Sequence, residues 1–522
     1  MLRFTIKSAF VAFAAVVAVG IAGCSGGRSA LPGIGPQTSG AARTKSGTIQ
    51  RLAAPPAYMQ MAYLMTDGSV LTQSGSNWGQ WYRYVPDSSG NYADGTWSQV
   101  GSLQSGYAPD ADAADLLADG RLVIIGGEYN QGTGSQYPLQ LTNQGAIYDP
   151  VKMTWTPLGH PTAPNDWKWI GDSPSSVLPD GRLLIGDKLH KWDAYLDPKT
   201  LSWTEVSHKG KADFNAEEGW TLLANGTILT ADVKDTPNSE IYNPATGQWT
   251  TAGSTIVKLG SPSPFHQCFQ YGPKKRDCYQ APGEIGPAIL RPDGTVFATG
   301  SGQSGSGYGV GHTAIYNTGS GTWTAGPNFP NNDNAGDNFG ILEPSGNVLI
   351  FGDSGDIYEW NGTTFSTVPD LTDEGPPILL PTGQVMMVGY SSVVLYNPTG
   401  SPQASWAPTI TKYPTSISAG STYKIFGTQF NGLSQAMSFG DEYQNATNYP
   451  LVRITNNASG HVYYARTHDH STMGVATGSK RVSTYFDVPS GIGSGASTLQ
   501  VIANGIASKS VSVTVSGSRR KQ

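Results

Sequence analysis

DLLADGRLVIIGG (115–127) decides the fold. Two apolar runs flank Asp119-Gly120. Asp-Gly in that setting is a strong short-range signal for a β-hairpin, because both turn positions tolerate positive φ. The unit recurs as YLMTDGSVL (63–71), SVLPDGRLLIG (176–186), TLLANGTILT (221–230), AILRPDGTVFATG (288–300), GILEPSGNVLIFG (340–352) and ILLPTGQVMMVG (378–389). A tyrosine in a strand-like context follows each: Tyr84, Tyr148, Tyr195, Tyr242, Tyr316, Tyr358 and Tyr396. An aromatic follows each tyrosine in turn: Trp97, Trp155, Trp203, Trp249, Trp323, Phe365 and Trp406. Four strands per unit make one propeller blade, and seven such units close a ring without leaving a sheet edge open. Gly47–Pro55 is expected to supply an outer strand to that closure. The repeated aromatics are expected to pack between blades.

Beyond Trp406 the hairpin repeat stops. Residues 408–517 alternate apolar and polar positions and finish on TLQVIANGIASKSVSV (498–513), which reads as an immunoglobulin-like β-sandwich. At the other end, Arg3 and Lys7 precede an apolar run over 8–20. That is the pattern of a signal peptide and is short for a membrane span. IAGC (21–24) is similar to a bacterial lipobox, which implies acylation of Cys24 as the mature N-terminus. The expected plan is an all-β chain: signal peptide 1–23, Ser/Gly/Pro-rich tether 24–47, propeller 48–407 and sandwich 408–517.

Charged residues make up 13% of the chain and glycine 66 of 522, which suits a turn-rich exported β protein. A net charge of −6 gives nucleic acid no footing. The membrane is expected as a partner only through the lipid, and the chain is expected to be a monomer. Cys268 and Cys278 are expected to pair in an oxidising compartment. So short a loop is worth about 2–3 kcal/mol in the chain-entropy picture.

The order of Gly-Gly, Tyr and Trp resembles kelch repeats. Seven such units ahead of a β-sandwich resemble galactose oxidase and glyoxal oxidase, the copper radical oxidases, over nearly all of the mature chain. The resemblance implies a copper site built from a Tyr cross-linked to a Cys, a Tyr-His pair and a His from the C-terminal domain. Here the Cys position falls on Ala111, flanked by Asp110 and Asp112, and the cross-linked Tyr position on Asp172. The Tyr-His pair falls on Asp373-Glu374, and only His468, in RTHDH (466–470), matches. Without the modified Tyr as second electron site, copper radical chemistry is not expected.

The substitutions form a pattern of their own. The same offset before the hairpin turn reaches Glu217 and Asp337, and Glu284 within one residue. Carboxylates there begin innermost strands at one mouth of the channel, and such a ring repels itself unless it is protonated, hydrated or neutralised. The resemblance brings the His468 loop into the same channel. In a strand, H-x-H puts His468 and His470 on one face. One reading is a site for a divalent metal or a cationic ligand, formed by Asp172, Glu217, Asp337 and Glu374 with His468 and His470 as metal ligands. Oxygen donors favour calcium or manganese, and added imidazoles favour zinc or manganese. The other reading is that the carboxylates terminate strands by accepting loop N–H groups. Trp167 and Trp169, in NDWKW (165–169), are candidate stacking surfaces for a sugar ring, and His312 could reach the same mouth. Together these point to an exported surface lipoprotein that binds a carbohydrate or other ligand at an acidic channel mouth, with catalysis open. The alternatives are a non-catalytic adhesion scaffold and a copper oxidase with a rearranged site.

Overall fold

A computed structural model describes residues 47–517 apart from 132–140, 263–265, 273–274, 281–282, 305–306, 374, 390 and 441; side chains over 263–282 are also outside the description. The N-terminal segment that carries Cys24 lies outside the described residues.

Each predicted hairpin forms the two inner strands of a four-stranded antiparallel blade. In blade two the strands are Ala113–Leu116, Leu122–Ile125, Gly145–Asp149 and Thr154–Leu158, paired in that order. In blade three they are Ser175–Val177, Leu183–Gly186, Asp193–Leu196 and Trp203–Val206. In blade four they are Thr221–Leu222, Ile228–Ala231, Asn238–Asn243 and Gln248–Ser254. Blades one, five and six repeat the plan. Blade seven takes its outer strand, Thr48–Arg51, from the start of the propeller, paired antiparallel with Ser392–Asn397. The ring is thereby closed as a seven-bladed propeller, with the predicted Gly47–Pro55 segment supplying the seal.

The turns differ in detail from expectation. Gly68 N–H donates to Met65 O and Met65 N–H to Ser69 O, and the same pair of bonds recurs at Leu117, Leu178, Leu223, Arg291, Glu343 and Leu380. In the Asp-Gly and Asn-Gly turns only the glycine takes positive φ (Gly68 +74°, Gly120 +85°). These are therefore three-residue loops closing on a left-handed glycine rather than two-residue primed turns. Asp67 fixes its loop by accepting from the Ser69 N–H.

The seven repeat tyrosines are all buried. Tyr84, Tyr148, Tyr242 and Tyr316 stand directly across the outer strand pair from Trp97, Trp155, Trp249 and Trp323. Their rings meet at centroid distances of 4.6–5.2 Å. Burying an aromatic of this size contributes about 2–3 kcal/mol, which is reason enough for the motif. Trp406 departs from it: it lies in a short 3-10 turn, Ala404–Trp406, because the outer strand of blade seven comes from the other end of the propeller.

Residues 409–516 form one curled sheet around a separate core that includes Ile417, Ile425, Val452, Phe486, Leu499 and Val513, an arrangement that fits a β-sandwich. It sits on the hairpin-turn face of the propeller. Thr467 N–H donates to Thr66 O, His470 N–H to Ala118 O and Met473 N–H to Pro179 O. From this sheet the segment 433–449 rises through the channel. Gln435 Oε1 accepts from Leu222 N–H, and Met437–Ser438 pairs antiparallel with Gly340–Leu342 of blade six. Returning, Asn445 and Tyr449 donate to the carbonyls of Ala62 and Leu64 in blade one.

Candidate functional site

Three of the predicted carboxylates do meet at the channel mouth opposite the hairpin turns. Their backbone explains how. Ala111, Glu217 and Asp337, at the same offset in blades two, four and six, take φ of +53°, +60° and +57°. A left-handed non-glycine residue costs about 1–3 kcal/mol, and three at equivalent positions mark a bend the architecture imposes before each innermost strand. In blade three the bend falls on Gly171 (φ +74°), one residue before Asp172.

Lys188 is the centre of the cluster. Its Nζ pairs with Asp172 and, at 2.8 Å, with Glu217. The lysine side chain is 1% exposed, while Glu217 keeps 16% of its side chain accessible. Glu128, Glu284 and Glu442 lie close enough to Lys188, Asp172 or Glu217 to be shifted by them, and Asp337 acts on all three. One ammonium thus stands in a group of six carboxylates and acts on at least four of them. Burial pushes Asp172, Glu284 and Glu442 well above the usual carboxylate range and Glu128 in the same direction; neighbouring carboxylates add to the rise, and Lys188 opposes it at Asp172, Glu128 and Glu284. Asp172 Oδ1 and Glu442 Oε1 are buried without a hydrogen-bond partner. Two neighbouring buried carboxylates with unused acceptors call for protons, a cation or a donor-rich ligand.

Sequence reasoning missed three members of this group. Glu128 follows Gly126-Gly127, where a side chain on Gly126 would collide with the Gly171 carbonyl. The close approach of blades two and three at that point carries Glu128 toward Lys188. Lys188 follows the strand Leu183–Gly186, and no rule of sequence gave it a partner. Glu442 arrives on the tip of the 433–449 segment. Beside it, Tyr443 donates to Asp110 Oδ1 at 2.9 Å and accepts from Ala111 N–H at 2.7 Å. The signal was available in FGDEYQN (439–445), a polar run within a region of otherwise alternating strands. Next to the cluster, burial and then Asp110 and Asp373 raise the Tyr58 hydroxyl to about 12.

His468 and His470 are not brought to the carboxylates. The strand Val462–His468 ends at the first of them, and Asp469 turns at φ +49°, so strand alternation does not apply across the pair. His468 bonds Asp469 and Asp487 at 2.8 and 3.2 Å. His470 is buried against Thr484 at 2.8 Å, and burial, followed by His468, drops its pKa to about 3. Both belong to the hairpin-turn face, and the channel is filled by 433–449 instead. Trp167 also departs from expectation: it is fully buried, with its indole N–H on Glu205 at 3.1 Å, so its face is closed to a sugar. Trp169 is half-buried. His312 bonds Asn328 at 2.7 Å. Glu374 lies outside the described residues; its neighbour Asp373 accepts from Gly375 N–H at 2.9 Å. The backbone register of the hairpin His266–Gly272/Lys275–Gln280 sets Cys268 opposite Cys278.

Copper radical chemistry does not fit these residues. Where the resemblance requires a thioether-linked tyrosine and its cysteine, the chain has Asp172, paired with a lysine ammonium, and a buried Ala111. The described groups around the cluster are carboxylates and the hydroxyls of Tyr58, Tyr129 and Tyr443, the last bonded to Asp110.

No protein-family model matches the chain, and no curated protein does. Among solved structures, it is similar to a fungal alcohol oxidase of the AA5 family in complex with copper, at 13% identity and a TM-score of 0.47, covering 90% of this chain and 99% of that one. It is also similar to the extracellular domain of a putative hybrid two-component system from B. thetaiotaomicron, at 11% identity and 0.44, covering 90% of this chain and 60% of that one. A third is virginiamycin B lyase from Staphylococcus aureus, at 10% identity and 0.41, covering 67% and 99%. These are likenesses of fold and transfer no residue roles.

Proposed function

We propose that this chain is an exported, lipid-anchored propeller that binds a hydroxyl-rich ligand, a carbohydrate, at the acidic cluster around Lys188. The observation that carries the reading is the pair of buried, unused acceptors, Asp172 Oδ1 and Glu442 Oε1, beside a Glu217 that still reaches solvent. Sugar hydroxyls donate to such acceptors, and Lys188 holds Asp172 and Glu217 in place as they do so. Lys188 also supplies part of the positive charge that the sequence argument sought from a divalent metal.

A glycan array followed by calorimetry on the mature chain tests this. Binding by the wild type should be lost in Asp172→Asn/Glu217→Gln, with cooperative unfolding retained. Failure of every glycan to bind would favour an adhesion scaffold instead. Anchoring is tested separately: Cys24→Ser should release the protein from membranes, since each buried CH₂ of the lipid contributes about 0.8 kcal/mol. The Cys268–Cys278 bond is proposed on the register above, and mass spectrometry of unreduced peptides checks it.

A further inference from the structure

A second acidic group lies away from the channel axis, between blades three and four. Lys211 sits in the connection that follows Trp203–Val206, with its ammonium 4.5 Å above the Trp249 ring. It bonds Glu218 Oε2 at 2.6 Å and Glu240 Oε2 at 3.0 Å. Glu240 Oε1 takes the Ala212 N–H at 2.6 Å. Asp213 spends its oxygens on the N–H groups of Phe214, Lys234 and Asp235. Asp193 spends its own on Asn215 and Trp249.

That leaves Asp232, just beyond the strand Ile228–Ala231. It is 1% exposed, and neither of its oxygens has a hydrogen-bond partner. Glu218 Oε1 is likewise buried and unpartnered. One carboxylate oxygen from each of Glu218, Asp232 and Glu240 lies within 4.8 Å of the others. Calcium–oxygen bonds are about 2.3–2.6 Å, so ligands on opposite sides of one ion stand about 4.8 Å apart, and these oxygens can share a single ion. Lys211 neutralises only one of the nearby carboxylates, and a buried charge without a partner is strongly unfavourable.

We infer that Glu218, Asp232 and Glu240 bind a hard divalent cation of the calcium class, with Lys211 orienting the two glutamates by holding one oxygen of each. The three ligands come from the approach to the first strand of blade four, from the end of its second and from its third, Asn238–Asn243. The ion would therefore tie that blade together where it meets Lys211. Carboxylate-only ligation favours calcium, magnesium or manganese over the softer metals.

Terbium luminescence on the mature, chelator-stripped chain tests the site, with Trp249 as the nearby sensitiser, alongside thermal unfolding with calcium chloride or EGTA. Wild type should show sensitised emission displaced by calcium, and a Tm that rises with calcium and falls with EGTA. Asp232→Asn should weaken terbium binding at least about tenfold and abolish the calcium response, because it removes a charged ligand oxygen. Asp293→Asn, in the exposed hairpin turn of blade five, should leave both readouts intact, and neither readout involves the channel cluster, so this result is independent of carbohydrate binding. Absence of sensitised emission and of any calcium effect on Tm in wild type would overturn the inference, as would an Asp232→Asn protein that responds like wild type.

Discussion

Two lysines face surplus carboxylates in this molecule, and their surroundings differ. Around Lys188 the carboxylates come from several blades and from the tip of 433–449, and Glu217 keeps contact with solvent. Around Lys211 the carboxylates belong to blades three and four, and the Lys211 and Glu218 side chains are 0% exposed. A cluster assembled on the axis by many elements can remain accessible at its mouth. One assembled inside a blade interface is sealed, and its charges must be satisfied on the spot. The first arrangement suits exchange of a ligand, the second a permanent structural role.

Removing each lysine is the strongest way to break that contrast. Lys211→Met leaves Glu218 and Glu240 buried without their ammonium and should cost about 3–5 kcal/mol in urea unfolding at pH 7. Lys188→Met should cost less, about 1–2 kcal/mol, because Glu217 can turn to water. Equal costs would show that the channel cluster is as closed as the interblade one.

An acid with no lysine provides a control. Asp115, on the innermost strand of blade two, is buried with Oδ2 unpartnered, and burial raises its pKa to about 8. A carboxyl with a folded pKa above its unfolded value of about 3.9 favours the fold fully below pH 4, and that contribution is lost as pH rises toward 8. Asp115→Asn should therefore stabilise the protein at pH 8, by about 1–3 kcal/mol, with the gain shrinking toward pH 4. Thermal unfolding across that range checks it; a gain that is independent of pH would mean that the group does not titrate there.

The contrast also explains what the sequence could reveal. Blade number, hairpin positions and the closing strand were legible because each rests on local pattern: apolar runs, a turn glycine and a tyrosine at a fixed distance. Asp172, Glu217 and Asp337 were legible for the same reason, since repetition converts an offset in sequence into a position around an axis. Lys188, Glu128 and Glu442 were not, because each arrives on an irregular segment whose path depends on packing across blades. His468 and His470 were misplaced for a related reason. Analogy gave the channel to the wrong loop, and a left-handed Asp469 broke the alternation that would have aligned them. Trp167 looked like a binding surface, but its indole N–H found Glu205 inside the protein.

The central claim is that the Lys188 cluster receives a ligand. A crystal structure of the mature chain with a carbohydrate identified on the array tests it most directly. The account predicts ligand hydroxyls within hydrogen-bonding distance of Asp172 Oδ1 and Glu442 Oε1, with Lys188 still bridging Asp172 and Glu217. A ligand seated elsewhere, with those two oxygens bonded only to protein groups, would contradict it.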